Sequence, residues 1–79
     1  MQVEVRAFAT LRQYLPELGV GEARLVQVEP GTTLGQLCDR LGIPRQEVML
    51  IMRNHVHAQA EDTVQDGDRI AYVPAVGGG

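Results

Sequence analysis

One stretch, Thr33 to Pro44, constrains this chain more than any other. Leu34, Leu37, Cys38 and Leu41 recur at i, i+3, i+4 and i+7, a single apolar stripe on a helix. Thr33 and Gln36 are spaced as a capping box at its start. Gly42 is placed to cap its end, and Pro44 prevents continuation. A helix with one buried face needs one broad apolar surface to cover, and the rest of the chain reads as strands. The expectation is therefore one helix lying across one sheet. The chain has 79 residues, enough for one domain with a thin stability margin.

The strands follow from alternation. Val3, Val5 and Ala7 alternate with Gln2, Glu4, Arg6 and Phe8, which predicts a first strand with one buried face. Thr10 and Gln13 repeat the capping-box spacing, and Leu11, Tyr14, Leu15 and Leu18 recur helically. Pro16 limits this to a turn or two of helix before a loop through Gly19 and Gly21. Ala23 to Val28 reads as a second strand, stopped by Pro30-Gly31 and paired with the first as a long-looped hairpin. Val48 to Met52 is apolar at five consecutive positions, which predicts a strand covered on both faces. Asn54-His55 turns the chain into a short strand around Val56 to Ala58. Asp66-Gly67-Asp68 is a turn, and Arg69 to Val73 is the last strand. The whole is an α+β roll, with the first and last strands side by side at its centre.

Composition removes several function classes. The formal charge is −3, all seven cations are arginine, and they form no cluster, which argues against nucleic acid as the main partner. No apolar run approaches ~20 residues and no signal-peptide core is evident, so a cytoplasmic protein without membrane attachment is expected. The single cysteine, Cys38, excludes an internal disulfide and a cysteine-ligated iron–sulfur cluster. His55 and His57 share a face if extended, but no third ligand is near in sequence, and a solvated hairpin accounts for them better than a metal site. No nucleophile–base pair or phosphate loop is present, so an enzyme acting by itself is not expected.

The sequence closes on Pro74-Ala75-Val76-Gly77-Gly78-Gly79. Pro74 cannot donate to a ladder and marks the end of the fold, giving a domain over 1–73 and a flexible tail over 74–79. Glycine adds nothing to a core and permits close backbone approach. A frayed terminus is the bland reading. The functional one is a thin tail that carries the α-carboxylate into another protein's active site. From Val76 to Gly79 it reaches ~13 Å at about 3.3 Å per residue.

At this point the chain resembles the β-grasp, ubiquitin-like sulfur carriers of the MoaD/ThiS family. The resemblance rests on Val5-Arg6-Ala7-Phe8-Ala9-Thr10-Leu11-Arg12, Gly31-Thr32-Thr33-Leu34-Gly35-Gln36-Leu37, Asn54, Asp62-Thr63-Val64, Asp66-Gly67-Asp68-Arg69-Ile70 and Val73 to Gly79. It implies a mixed sheet of four to five strands crossed by one main helix. It also implies that the Gly79 carboxylate is adenylated with ATP by an E1-like partner of the MoeB/ThiF type, then converted to a thiocarboxylate. That group would donate sulfur to molybdopterin, with molybdopterin synthase large subunit as a further partner, or to the thiamine thiazole, with thiazole synthase. The chain would be a protein co-substrate, at most the small non-catalytic subunit of a molybdopterin synthase, with no bound cofactor or metal. The helical excursion from Thr10 to Gly21 is similar to the molybdopterin branch, since thiazole-type carriers join their first strands by a short turn. The family's usual ending is a glycine pair; this chain has three. A non-covalent ubiquitin-like module and a protein modifier are the competing classes.

Gly79 is thus the expected reacting residue, with Gly77 and Gly78 entering the partner's site. The resemblance also implies docking through an apolar sheet face beside the tail. Phe8 breaks the buried parity of Val3, Val5 and Ala7 and is expected on that face. One alternate set of the third strand joins it, Met49 with Ile51 or Leu50 with Met52. Met49 and Ile51 are taken for this role, with Pro74 and Val76. Glu61, Asp62, Asp66 and Asp68 could steer a basic partner, although turn chemistry accounts for the pair flanking Gly67.

Overall fold

The structure of the chain, a computed structural model, describes residues 1–19 and 21–75. Five strands form one sheet: β1 (Gln2–Ala7), β2 (Arg24–Gln27), β3 (Leu50–Arg53), β4 (Val56–Ala58) and β5 (Arg69–Val73). Their order is β2-β1-β5-β3-β4. The first and last strands are adjacent and parallel, with Val5 opposite Ile70, as alternation and chain order predicted. β2 runs antiparallel to β1, and β3 antiparallel to both β5 and β4. This is the mixed sheet crossed by one helix that defines a β-grasp fold.

That helix, α1 (Leu34–Arg40), carries the full capping box: Thr33 Oγ1 accepts from Gln36 N–H and Gln36 Oε1 accepts from Thr33 N–H. Its next two free amides are also satisfied. Leu34 N–H donates to the Asp62 carbonyl and Gly35 N–H to the Ala60 carbonyl, both at 2.9 Å. Leu41 caps the far end and Gly42 follows at φ +78°, a left-handed position that suits glycine. The stripe packs on the sheet: Leu34, Leu37 and Cys38 are buried with Val3, Val5, Ala7, Val26, Ile70 and Tyr72. Tyr72 donates its hydroxyl to the Leu34 carbonyl at 2.7 Å, so its one polar atom is paired inside the core.

Three local expectations need correction. Thr10 does not cap a helix; the segment Ala9–Tyr14 is a 3₁₀ helix whose N-cap is Phe8, without a side-chain cap. Leu11 and Leu15 are fully buried nonetheless, so the helical spacing found the right core residues. The five-residue apolar run does not begin a strand at Val48: a 3₁₀ turn over Arg45–Glu47 precedes it and β3 starts at Leu50. Nor is that strand covered on both faces. Leu50 is 39% exposed on the side away from α1. The Asn54-His55 turn holds, with both residues at positive φ (53° and 69°), as a two-residue hairpin with type I′ character requires.

The acidic turn residues are occupied structurally. Asp68 is 5% exposed and accepts from Gln65 N–H and the Asn54 side-chain amide. Asn54 accepts from Arg69 N–H in turn. This network locks the β3–β4 turn to the start of β5. Asp66 accepts from Gln2 N–H and Asp62 from Gln59 N–H. Asp62, Asp66 and Asp68 thus hold turns, and of these and Glu61 only Asp68 is buried.

Candidate functional site

The sheet has one face under α1 and one face open. Strand register assigns every side chain to one or the other, because alternate residues point oppositely. On the open face, Met52 of β3 lies opposite Ala71 of β5, which lies opposite Arg6 of β1. Leu50 lies opposite Val73. Phe8 extends the β1 parity of Glu4 and Arg6 and donates its amide to the Tyr72 carbonyl at 3.1 Å. It is 40% exposed, so the parity argument for Phe8 holds. Leu25 of β2, opposite Glu4, is 62% exposed on the same side.

Arg6, Phe8, Met52, His55, Arg69 and Ala71 line a trough of about 460 Å³ on this face. Its floor is apolar and its rim is basic. Arg6 donates Nε–H to the Gly21 carbonyl, which holds its guanidinium beside the β1–β2 loop. Arg69 lies 3.3 Å from the Glu4 carboxylate. The open face thus combines apolar contact area with cations in an otherwise acidic chain.

The other expected docking residues sit elsewhere. Ile51 faces α1: it is opposite the buried Tyr72 and Ala58 and packs on the core. Met49 precedes β3 with the same parity, and lines a separate groove of about 200 Å³ with Cys38, Arg45, Val48 and Ala58. The set that shares a face with Phe8 is Leu50 and Met52, so the expected pair Met49 and Ile51 is corrected. Pro74 is buried, so it anchors the end of the sheet and adds no docking surface. Val76, Gly77, Gly78 and Gly79 lie outside the described residues.

β5 delivers the chain to the edge of this face. Its last bonds are Phe8 N–H to the Tyr72 carbonyl on one side and Met49 N–H to the Val73 carbonyl on the other. Both neighbouring strands therefore grip the segment that leads to the glycines. His55 lies in the hairpin turn and His57 in β4, both exposed, so they do not form the shared extended face that a metal pair would need. Cys38 is 1% exposed and donates to the Ile43 carbonyl at 3.2 Å; burial pushes its thiol up to about 11. Gly35 is the close-approach point beside it: a Cβ there would lie 2.8 Å from the Arg45 guanidinium carbon. Arg45 is held against it by a two-bond pair with Asp39. The Nε of Arg12 is buried and has no hydrogen-bond partner among the described residues.

The sequence profile of the ThiS family matches residues 2–79, nearly the whole chain. The chain belongs to the ThiS family. Solved structures agree on the fold. SAMP1 of Haloferax volcanii, a small archaeal modifier protein, is 22% identical over 100% of both chains, with a TM-score of 0.75. A chain from the complex of subunits 1 and 2 of the molybdopterin-converting factor of Helicobacter pylori is 25% identical over 100% of both, with a TM-score of 0.61. A Caldiarchaeum subterraneum ubiquitin is 18% identical over 100% of this chain and 98% of its own, with a TM-score of 0.60. Comparison with curated proteins gives no match. The ThiS-family chain thus has the ubiquitin-like β-grasp fold of the sulfur carriers it resembles. None of its helices among the described residues is long and apolar enough to cross a membrane.

Proposed function

We propose that this chain is a sulfur carrier of molybdopterin biosynthesis and acts in the cytoplasm as a protein co-substrate. The observation that carries the proposal is the family match over residues 2–79, which includes the terminal glycines. An E1-like adenylating enzyme docks on the open face around Phe8, Leu50 and Met52. The Gly79 carboxylate attacks the α-phosphate of ATP and pyrophosphate leaves. A carboxylate is a poor electrophile; the acyl adenylate supplies a good leaving group. Sulfide-level sulfur from a donor then attacks the acyl carbon and displaces AMP, leaving a terminal thiocarboxylate. Gly77 and Gly78 give the tail a cross-section narrow enough for a site that closes to exclude water. The excursion between β1 and β2 and the likeness to a chain from a two-subunit molybdopterin-converting factor favour molybdopterin over the thiazole as acceptor. On this reading the large subunit of such a factor is the second partner. Likeness to a small archaeal modifier protein favours a second use of the same terminus, conjugation to other proteins.

Intact mass tests the chemistry. The purified chain is incubated with ATP, the adenylating enzyme of its own organism and a sulfur donor, with and without an alkylating agent at neutral pH. A gain of one oxygen-to-sulfur exchange, alkylated in a Cys38→Ser background, is expected. Unchanged mass under these conditions overturns the carrier reading and leaves the interaction-module class.

A further inference from the structure

Pro74 is buried although Ala75, the next residue, is exposed. Something covers the root of the tail. β5 lies between β1 and β3, and two short 3₁₀ segments flank its end. One, Ala9–Tyr14, continues from β1 and packs against β5. The other, Arg45–Glu47, leads into β3. Tyr14 of the first donates its hydroxyl to Glu47 Oε2 of the second at 2.8 Å. The bond spans 33 residues of chain and is partly shielded from water. Tyr14 and Val48 both pack on the core, the α1 side of the sheet, and Pro74, two residues after the buried Tyr72, has the parity of that side. The Glu47 carboxylate raises the Tyr14 pKa through this hydrogen bond.

We propose that Tyr14 and Glu47 are positioning residues, a clasp across the two segments beside Pro74 that fixes the direction in which the tail leaves the sheet. This deepens the carrier reading and rests on it. A carboxylate at the end of a short tail reacts only when it is presented along the partner's entry channel. Holding the exit direction removes orientations the partner would otherwise have to select. Docking itself uses the open face, on the opposite side of the sheet. The clasp therefore acts on the chemical step and leaves binding alone.

The test uses the full chain with the adenylating enzyme of its own organism and ATP, scored by carrier-dependent pyrophosphate exchange. Tyr14→Phe keeps the ring in the core and deletes the hydroxyl. The expected result is a kcat lower by about tenfold at unchanged KM for the carrier. Glu47→Gln retains an acceptor for the hydroxyl and should restore most of the rate, whereas Glu47→Ala should match Tyr14→Phe. Backbone amide relaxation of Ala75 supplies a readout free of activity: order should fall in Tyr14→Phe and Glu47→Ala but not in Glu47→Gln. Wild-type kcat and Ala75 order in Tyr14→Phe overturn the clasp. So does a loss that falls on KM, or one that tracks melting temperature across all three variants. If the wild-type chain is never adenylated, the carrier reading fails, and the Ala75 measurement still decides whether the clasp exists.

Discussion

The two faces of the sheet are built from similar residues and differ in what covers them. Under α1 lie Val3, Val5, Ile70 and Tyr72, closed over by Leu34, Leu37 and Cys38. On the open face lie Phe8, Leu25, Leu50, Met52 and Ala71, with cations at the rim. β3 serves both: Ile51 turns to the core and its neighbours Leu50 and Met52 turn to solvent. The contrast teaches that apolar composition does not identify a core. Coverage does, and only the covered face contributes its burial to stability.

The largest effect should come from the centre of the covered face. Leu37→Ala is expected to destabilise by ~2–5 kcal/mol in denaturant unfolding, through lost burial and a residual cavity. A shift under ~1 kcal/mol would mean that α1 is not the lid of this core. Alkali should attack the same face next. Burial pushes the native Cys38 thiol up to about 11 and likewise raises Tyr72. In the unfolded chain these groups lose protons earlier, so that state binds fewer protons and stability falls as pH rises. The Cys38 contribution is complete below pH ~9 and lost by pH ~11, a drop of roughly 2–3 kcal/mol. In Cys38→Ala the decline should start near pH ~10, where unfolded tyrosine ionises. Equal curves for both proteins would remove Cys38 from the account.

Thr33→Ala removes one half of the capping box and should cost about 1 kcal/mol in the same unfolding assay. The smallest stability change belongs to the open face. Met52→Ala should stay within about 0.5 kcal/mol of wild type. Its expected effect is on the carrier's KM with the adenylating enzyme, which should rise severalfold. A large stability loss here would erase the distinction between the faces, and an unchanged KM would move docking away from Met52.

Much of this contrast was legible in the chain. The stripe from Leu34 to Leu41 fixed one helix face, and the parity of Val3, Val5 and Ala7 put Phe8 on the open side. The Asn54-His55 and Asp66-Gly67-Asp68 turns were readable because few residues tolerate their backbone. The parity of β3 was not. Five consecutive apolar residues contain no alternation, and a one-residue change exchanges the two faces. Arg53 makes the wrong choice attractive. It has the parity of Ile51, and a charge in that register suggests the solvent side. Its guanidinium instead donates to the Thr63 carbonyl at 2.7 Å and lies 4.0 Å from Asp68, leaving Ile51 on the core.

The sequence by itself determined the order of the strands and α1 along the chain, the caps of α1 and most of the core, because periodicity and turn chemistry are local. Tertiary structure decided the parity of β3, the burial of Pro74 and the pairing of Tyr14 with Glu47. Each depends on which segments meet across the sheet. That is set by strand order and register, and residues distant in sequence carry no local trace of it.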